Sequence, residues 1–408
     1  MPHFCIYSMI EIREAREEDR ESVVRVLWKA FESTTPYEDF LKQEWIKRWN
    51  NPEKENYAYV AVDEGKVVSS LSFFTTADEE QIIRGAPVRF GGVWAVATDP
   101  AYRRRGLVRK LFDISLPRMR DESVPLSILD PFYRPFYEKF SYALAEKRAY
   151  HVFTRDQIRV GKTRNDITSR EARDPDDRKS IQQIERSMAR FGSRFFASGE
   201  SLDYVMKNGI MHILEDDSGP VGSVWFNFTK GQPREPPELT VGISRYTRDD
   251  VFPSIVELVR NHSVNVSKVT WWTDADVPVR HYFSDIHRTE SHLTGSMMMR
   301  VVDIEGYCRS IKIPEDTTEK VTIELVDDQC PWNTGVYTLV PDGGNLTAER
   351  SDSKPDISLT AFQLSELIGG IIPPTLLRSL QEINCDTQTA RRLEDIFPAD
   401  AFVSYIRF

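Results

Sequence analysis

Val93-Trp94-Ala95-Val96-Ala97-Thr98-Asp99-Pro100-Ala101-Tyr102-Arg103-Arg104-Arg105-Gly106-Leu107-Val108-Arg109 is the stretch that decides the fold. Its apolar, β-branched start reads as a buried strand that ends at Asp99-Pro100. Gly106 then allows a turn with close backbone approach, and a helical pattern follows over 107–116, which Pro117 is expected to end or kink early. The first amides of such a helix have no intrahelical partner and lie at its positive dipole end. Anions bind there, and Arg103, Arg104 and Arg105 add attraction for a pyrophosphate and a ribose phosphate without a P-loop lysine. A basic run alone is usually a solvated face; its place between a strand and a helix, with a glycine, favours a binding loop.

Outward from this stretch the chain alternates strands and helices. Residues 10–13 read as a short strand, and Asp19 precedes Val23, Val24, Leu27, Ala30 and Phe31, spaced as one helix face. A second helix carries Phe40, Leu41, Trp45 and Trp49. Residues 57–62, the Asp63-Glu64-Gly65 turn and residues 67–74 form a hairpin, and 88–97 a further strand. Beyond the loop lie a strand at 125–129 and a short helix over 133–140. The pattern predicts a second mixed region over 154–300, with strands near 211–214, 222–228 and 269–272 and no phosphate-type loop. A third region begins at 301, with strands at 321–325 and 335–339, an apolar run over 357–368 before Gly369-Gly370, and an aromatic strand over 402–408.

Composition bounds the chemistry. The chain of 408 residues exceeds the roughly 250–300 at which single cores stop growing, so several domains are expected. Hydrophobic content is 40% and charged content 28%, and no apolar run approaches the roughly 20 residues that span a bilayer. The first residues lack a signal-peptide pattern, which leads us to expect a cytoplasmic protein, with Met1 or Met9 as the start. Cys5, Cys308, Cys330 and Cys385 form no CxxC pair and the seven histidines no ligand cluster, so no metal is expected. Fifty-three basic against 63 acidic residues give a net charge of −10, which opposes nucleic-acid binding and draws in small cationic molecules.

The segment Arg103-x-x-Gly106-x-Val108 resembles the pyrophosphate loop of the GCN5-related N-acetyltransferase superfamily, with Val108 where the family has glycine or alanine. The resemblance implies acetyl-CoA as co-substrate. Amides of Arg104, Arg105, Gly106, Leu107, Val108 and Arg109 would hold its pyrophosphate, while Val96, Ala97 and Thr98 would pair with the pantetheine arm and aim an amide at the thioester carbonyl. Pro131-Phe132-Tyr133-Arg134-Pro135-Phe136-Tyr137-Glu138-Lys139-Phe140-Ser141-Tyr142 resembles the family's Tyr-x-x-x-Gly-Phe/Tyr segment, whose tyrosine protonates the departing thiolate. Tyr137 fits that place, Ser141 replaces the glycine, and Tyr133 and Tyr142 stand as alternatives; an aromatic stripe that only packs a core is the competing reading.

Taken along its whole length the chain resembles the enhanced intracellular survival acetyltransferases. The fold this implies is α/β (α+β): a catalytic acetyltransferase domain (1–153), a second such domain without the cofactor motif (154–300) and a sterol-carrier-like domain (301–408). The resemblance also implies a homo-oligomer, with a hexamer as one form, and a base in the terminal α-carboxylate of Phe408. Glu32, Ser33, Trp45 and Trp94 are candidates to shape an amine pocket. Ser33, with Glu32 beside it, and Arg407 fall where aminoglycoside-acetylating members carry acids, and Arg407 would repel a polycation; the expected acceptor is a primary amine of a small polyamine or aminoglycoside-like molecule. Two rival readings are a non-catalytic sensor of acyl-CoA or lipid, and an acetyltransferase of protein lysines or peptide amines.

Overall fold

A computed structural model describes residues 10–42, 56–75, 81–172, 175–188, 194–195, 205–230, 235–242, 244–400 and 403–404. The first segment supplies β1 (Glu11–Glu14), α1 (Arg20–Phe31), α2 (Tyr37–Phe40), β2 (Asn56–Asp63), β3 (Lys66–Thr75), β4 (Gln81–Ile83), β5 (Ala86–Pro87) and β6 (Phe90–Thr98). It continues with α3 (Leu107–Asp121), β7 (Leu126–Leu129), α4 (Arg134–Glu138), β8 (Ala143–Leu144) and β9 (Arg148–Phe153). The middle segment adds β10 (Thr168–Glu171), α5 (Pro175–Met188), β11 (Arg194–Phe195), β12 (Ile210–Asp216), β13 (Gly219–Thr229), β14 (Glu238–Val241) and β15 (Arg245–Tyr246). After these come α6 (Phe252–His262), β16 (Lys268–Asp274), β17 (Glu290–Thr294) and β18 (Met298–Val301). The last segment holds α7 (Ile304–Ser310), β19 (Val321–Val326), β20 (Gly335–Asp342), β21 (Asn345–Arg350), β22 (Ile357–Thr360), α8 (Ala361–Gly369), α9 (Pro374–Ser379), α10 (Thr387–Ile396) and β23 (Val403–Ser404).

Three main sheets follow. The first runs β1-β2-β3-β6-β7-β18-β8, the second β10-β12-β13-β14-β16-β9-β17 with β15 beside β13, and the third β21-β20-β19-β22. Two strands cross the expected divisions at 153/154 and 300/301. β9 pairs with β16 and β17 in the second sheet, while β18 returns to the first and pairs with β7 and β8. An unpaired edge of β7 would expose a row of backbone groups, and β18 supplies their partners.

Helix α3 runs through Pro117 to Asp121, past the break expected there. Proline forfeits one ladder bond at a cost of about 3 kcal/mol. Leu116 and Met119, buried on either side of it, anchor the continued helix against the first sheet, so packing prevails. The apolar run over 357–368 divides at Thr360, whose hydroxyl accepts from the Gln363 amide and starts α8. Gly369 closes that helix where it meets β8: a Cβ there would stand 2.7 Å from the Leu144 carbonyl oxygen.

The C-terminal segment shares its core with the first sheet. Phe90, Leu126, Ile128, Met299 and Val301 belong to one buried cluster with Ile323, Leu359, Leu364, Leu367 and Leu393. Arg84, 1% exposed, clamps the same junction. Its guanidinium donates to the carbonyls of Ile368 (2.8 Å), Leu367 (3.2 Å) and Pro398 (2.6 Å), satisfying the last turn of α8 at its negative dipole end. A small ribbon ties all three segments together: β23 lies parallel to β11, which pairs antiparallel with β4. The remainder of the expected strand over 402–408, Phe408 included, lies outside the described residues, as do Trp45 and Cys5.

Candidate active site

The site is built on an irregularity in β6. Ser70 pairs with Ala97 but Ser72 pairs with Trp94, so one residue of β3 opposes two of β6 and the strand bulges at Ala95. Ala95 takes a left-handed φ of 52°, which costs an L-residue about 1–2 kcal/mol. The Ser70 hydroxyl donates to the Ala95 carbonyl at 2.9 Å and the Ser69 hydroxyl to that of Ala97 at 2.8 Å, which holds the bulge in place. β6 therefore pairs with β7 only from Phe90↔Leu126 to Val93↔Leu129. Past that point the strands part, and among the described residues no strand pairs with the β7-facing edge of Val96, Ala97 and Thr98.

Beyond β6, Asp99 accepts from the Ala101 amide and pairs with Lys29, fixing the turn that leads to α3. Arg104 and Gly106 both adopt left-handed φ, 65° and 72°. Nothing lies within 4 Å of a Cβ built on Gly106, so the backbone there is open to a ligand. The amides of Leu107, Val108 and Arg109 have no hydrogen-bond partner among the described residues; the first amide in the helix ladder is that of Lys110, to Gly106. Arg105 lies over Tyr102 and Arg109 over Phe140, while Arg103 and Arg104 stand exposed. Free amides at a helix start, an open glycine and exposed guanidinium groups fit a pyrophosphate.

Across the split, α4 presents the three tyrosines differently. Tyr133 caps the helix and is 60% exposed. Tyr142 is fully buried and its hydroxyl is spent on Ser127 at 2.6 Å. Tyr137 is 4% exposed, packs in one cluster with Val93, Val96 and Leu129, and makes no hydroxyl hydrogen bond among the described residues. Burial pushes its phenol well above the ordinary value, with smaller contributions from Tyr142 and Asp130, so it stays protonated and keeps a hydrogen to donate. Ser141 holds a left-handed φ of 61° just after this helix, the conformation for which glycine is otherwise chosen.

The other candidates are held by bonds local to their own surroundings. The Glu32 carboxylate accepts from the Thr35 hydroxyl at 3.4 Å at the end of α1, Ser33 beside it is exposed, and the Trp94 indole donates to the Asn56 side chain at 3.3 Å. Asp130, which follows β7 at the split, was not among the sequence candidates; its position between a strand and Pro131 was the available signal.

The C-terminal segment also reaches α4. Burial, aided by Glu382 and Glu138 and opposed by Arg134, pushes the Glu366 carboxyl up to about 7. An unfolded glutamate titrates near 4.3, so between these values the folded chain holds the extra proton. Its stability contribution is complete below about pH 4.3 and is lost as pH rises through 7. Glu366→Gln is expected to flatten this dependence and to stabilise the protein by roughly 1–2 kcal/mol at pH 8 after discounting for partial exposure, with little change at pH 4.5. Urea unfolding at the two pH values checks it.

Residues 11–145 match the acetyltransferase (GNAT) domain family. Residues 11–145 thus carry a GNAT acetyltransferase domain. Residues 305–403 match the sterol carrier protein domain family. An uncharacterized N-acetyltransferase of Streptomyces avermitilis is 22% identical over 311 residues, 70% of this chain and 74% of that one. The fold of the chain is that of a GCN5-related N-acetyltransferase from Anabaena variabilis (TM-score 0.80, 18% identity, 98% of this chain and 100% of that one). It is also that of Eis1 from Mycobacterium abscessus (TM-score 0.75, 15% identity, 98% and 100%). The GNAT domain thus sits in a mixed α/β chain with a sterol-carrier domain behind it. Among the described residues, no helix is long and apolar enough to cross a membrane.

Proposed function

We propose that the protein transfers the acetyl group of acetyl-CoA to a primary amine of a small cationic acceptor. The observation that carries this reading is the split at Val93/Leu129, with free amides of Leu107, Val108 and Arg109 beyond one wall and the unspent Tyr137 hydroxyl in the other. When bound, acetyl-CoA supplies an activated acyl group and a thiolate leaving group. The amides of 107–109, with Arg103 and Arg104, bind its pyrophosphate. The free edge of Val96, Ala97 and Thr98 orients the pantetheine arm and directs an amide at the thioester carbonyl oxygen, a contact worth about 3–4 kcal/mol where such oxyanion donors have been removed.

Tyr137 donates to the departing sulfur. A phenol of ordinary pKa about 10 facing a thiolate of about 8.5 makes full transfer uphill by roughly 2 kcal/mol, and burial makes it steeper. The hydrogen bond therefore tightens as charge develops, and the proton moves with C–S cleavage. The amine must lose its own proton, which at pH 7 costs a lysine-like group roughly 4–5 kcal/mol. The Phe408 carboxylate is our candidate to accept it through water.

The test is thiol release from acetyl-CoA with diamines, aminoglycosides and lysine peptides, comparing a native C-terminus with a Phe408 deletion. Release with small amines that falls at least about 100-fold on deletion is the expected result for loss of a general base. Release indifferent to the deletion removes the carboxylate from the mechanism; no release with any amine overturns the proposed activity.

A further inference from the structure

Asp130 is the first residue past the Val93↔Leu129 pair, at the point where β6 and β7 separate. It is half-buried, and among the described residues neither a hydrogen bond nor an ion pair is made by its carboxylate. Its charge acts on the Tyr137 phenol, which puts the two groups at the same mouth of the split. Phe132 stands two residues on, 64% exposed although its ring contacts Phe136 and Tyr137 at centroid distances of 5.4 and 5.6 Å. A partly desolvated carboxylate without a cation, near an exposed aromatic ring, is an arrangement that recognises ammonium groups by charge and by the ring face.

The reacting nitrogen must be neutral to attack, and a fixed carboxylate on it would oppose the loss of its proton. The carboxylate instead suits a second positive charge on the acceptor. Resting on the activity proposed above, we infer that Asp130 anchors a neighbouring ammonium of the acceptor, with Phe132 beside it, so that the site selects diamines and longer polyamines over monoamines. No bond is made or broken by Asp130; it fixes the acceptor and leaves the proton to others.

The experiment compares kcat/KM for 1,3-diaminopropane, 1,4-diaminobutane and 1,5-diaminopentane with that for the monoamines of matching length. In the wild-type protein at least one diamine should exceed its monoamine, and Asp130→Asn should lower that ratio by about 10- to 100-fold, chiefly through KM, with Asp130→Glu restoring part of it. The wild-type preference should also shrink between 50 and 500 mM NaCl, a measurement that needs no variant. A wild-type ratio near one for every pair, or a ratio that survives both Asp130→Asn and high salt, overturns the assignment of Asp130 while monoamine turnover upholds the acetyltransferase. Absence of turnover with every amine brings down the underlying reading and this one with it.

Discussion

Replacing Tyr137 with phenylalanine is expected to lower kcat by about 10²- to 10³-fold, within the range that positioned proton donors contribute. The ring keeps its place in the cluster with Val93, Val96 and Leu129 and against the rings of Phe136 and Tyr142, so the packing that seats α4 is preserved and stability should hardly change. Only the hydroxyl is lost, and it has no partner among the described residues, which leaves no orphaned group behind. The KM for acetyl-CoA should shift by less than about threefold, because the groups proposed to bind its phosphates lie at the start of α3, away from the phenol. Steady-state kinetics with both substrates varied separates these quantities. A kcat within about threefold of wild type would move the donor role to Tyr133, since Tyr142 already gives its hydroxyl to Ser127.

Arg300→Ala should destabilise the protein by about 3–5 kcal/mol. Arg300 is fully buried in β18 and donates to Asp327 at 2.8 Å, to the Phe140 carbonyl at 3.0 Å and to the Gln329 side chain at 3.1 Å. Its removal leaves the buried Asp327 without its cation, where the desolvation of that charge is no longer offset. Urea denaturation measures the loss. Arg300→Met combined with Asp327→Leu should recover most of it, because an apolar pair leaves no charge unpaired. A loss below about 1 kcal/mol in the single variant would mean that water reaches the pair. Because Phe140 closes the turn after α4, the single variant should also lose activity below its unfolding transition.

Local chemistry was legible in the sequence where it depends on neighbouring residues. The strand, glycine turn and helix of 93–109, the hairpin at 57–74 and the tyrosine helix all form near their expected positions. The exchange of β9 and β18 was hidden because a strand's alternation names its faces but not its partner, and these partners lie more than 100 residues away. The bulge at Ala95 carried no glycine to announce it; its support comes from serines on the next strand. Arg84 carries no local mark of burial, yet its guanidinium is buried and donates to carbonyls from the far end of the chain. The division at Thr360 rests on a capping box that the apolar run around it obscured.

The return of β18 to the first sheet has a consequence for biosynthesis. Leu129 waits for Met298, about 170 residues later, before the sheet around the proposed active site can close. At about 5–20 residues per second the ribosome needs roughly 10 to 35 s to cover that span. During this interval the nascent β7 carries an open edge, the kind of surface that chaperones cover and that seeds aggregation. The proposed site is thus a late product of translation, although most of its residues leave the ribosome first.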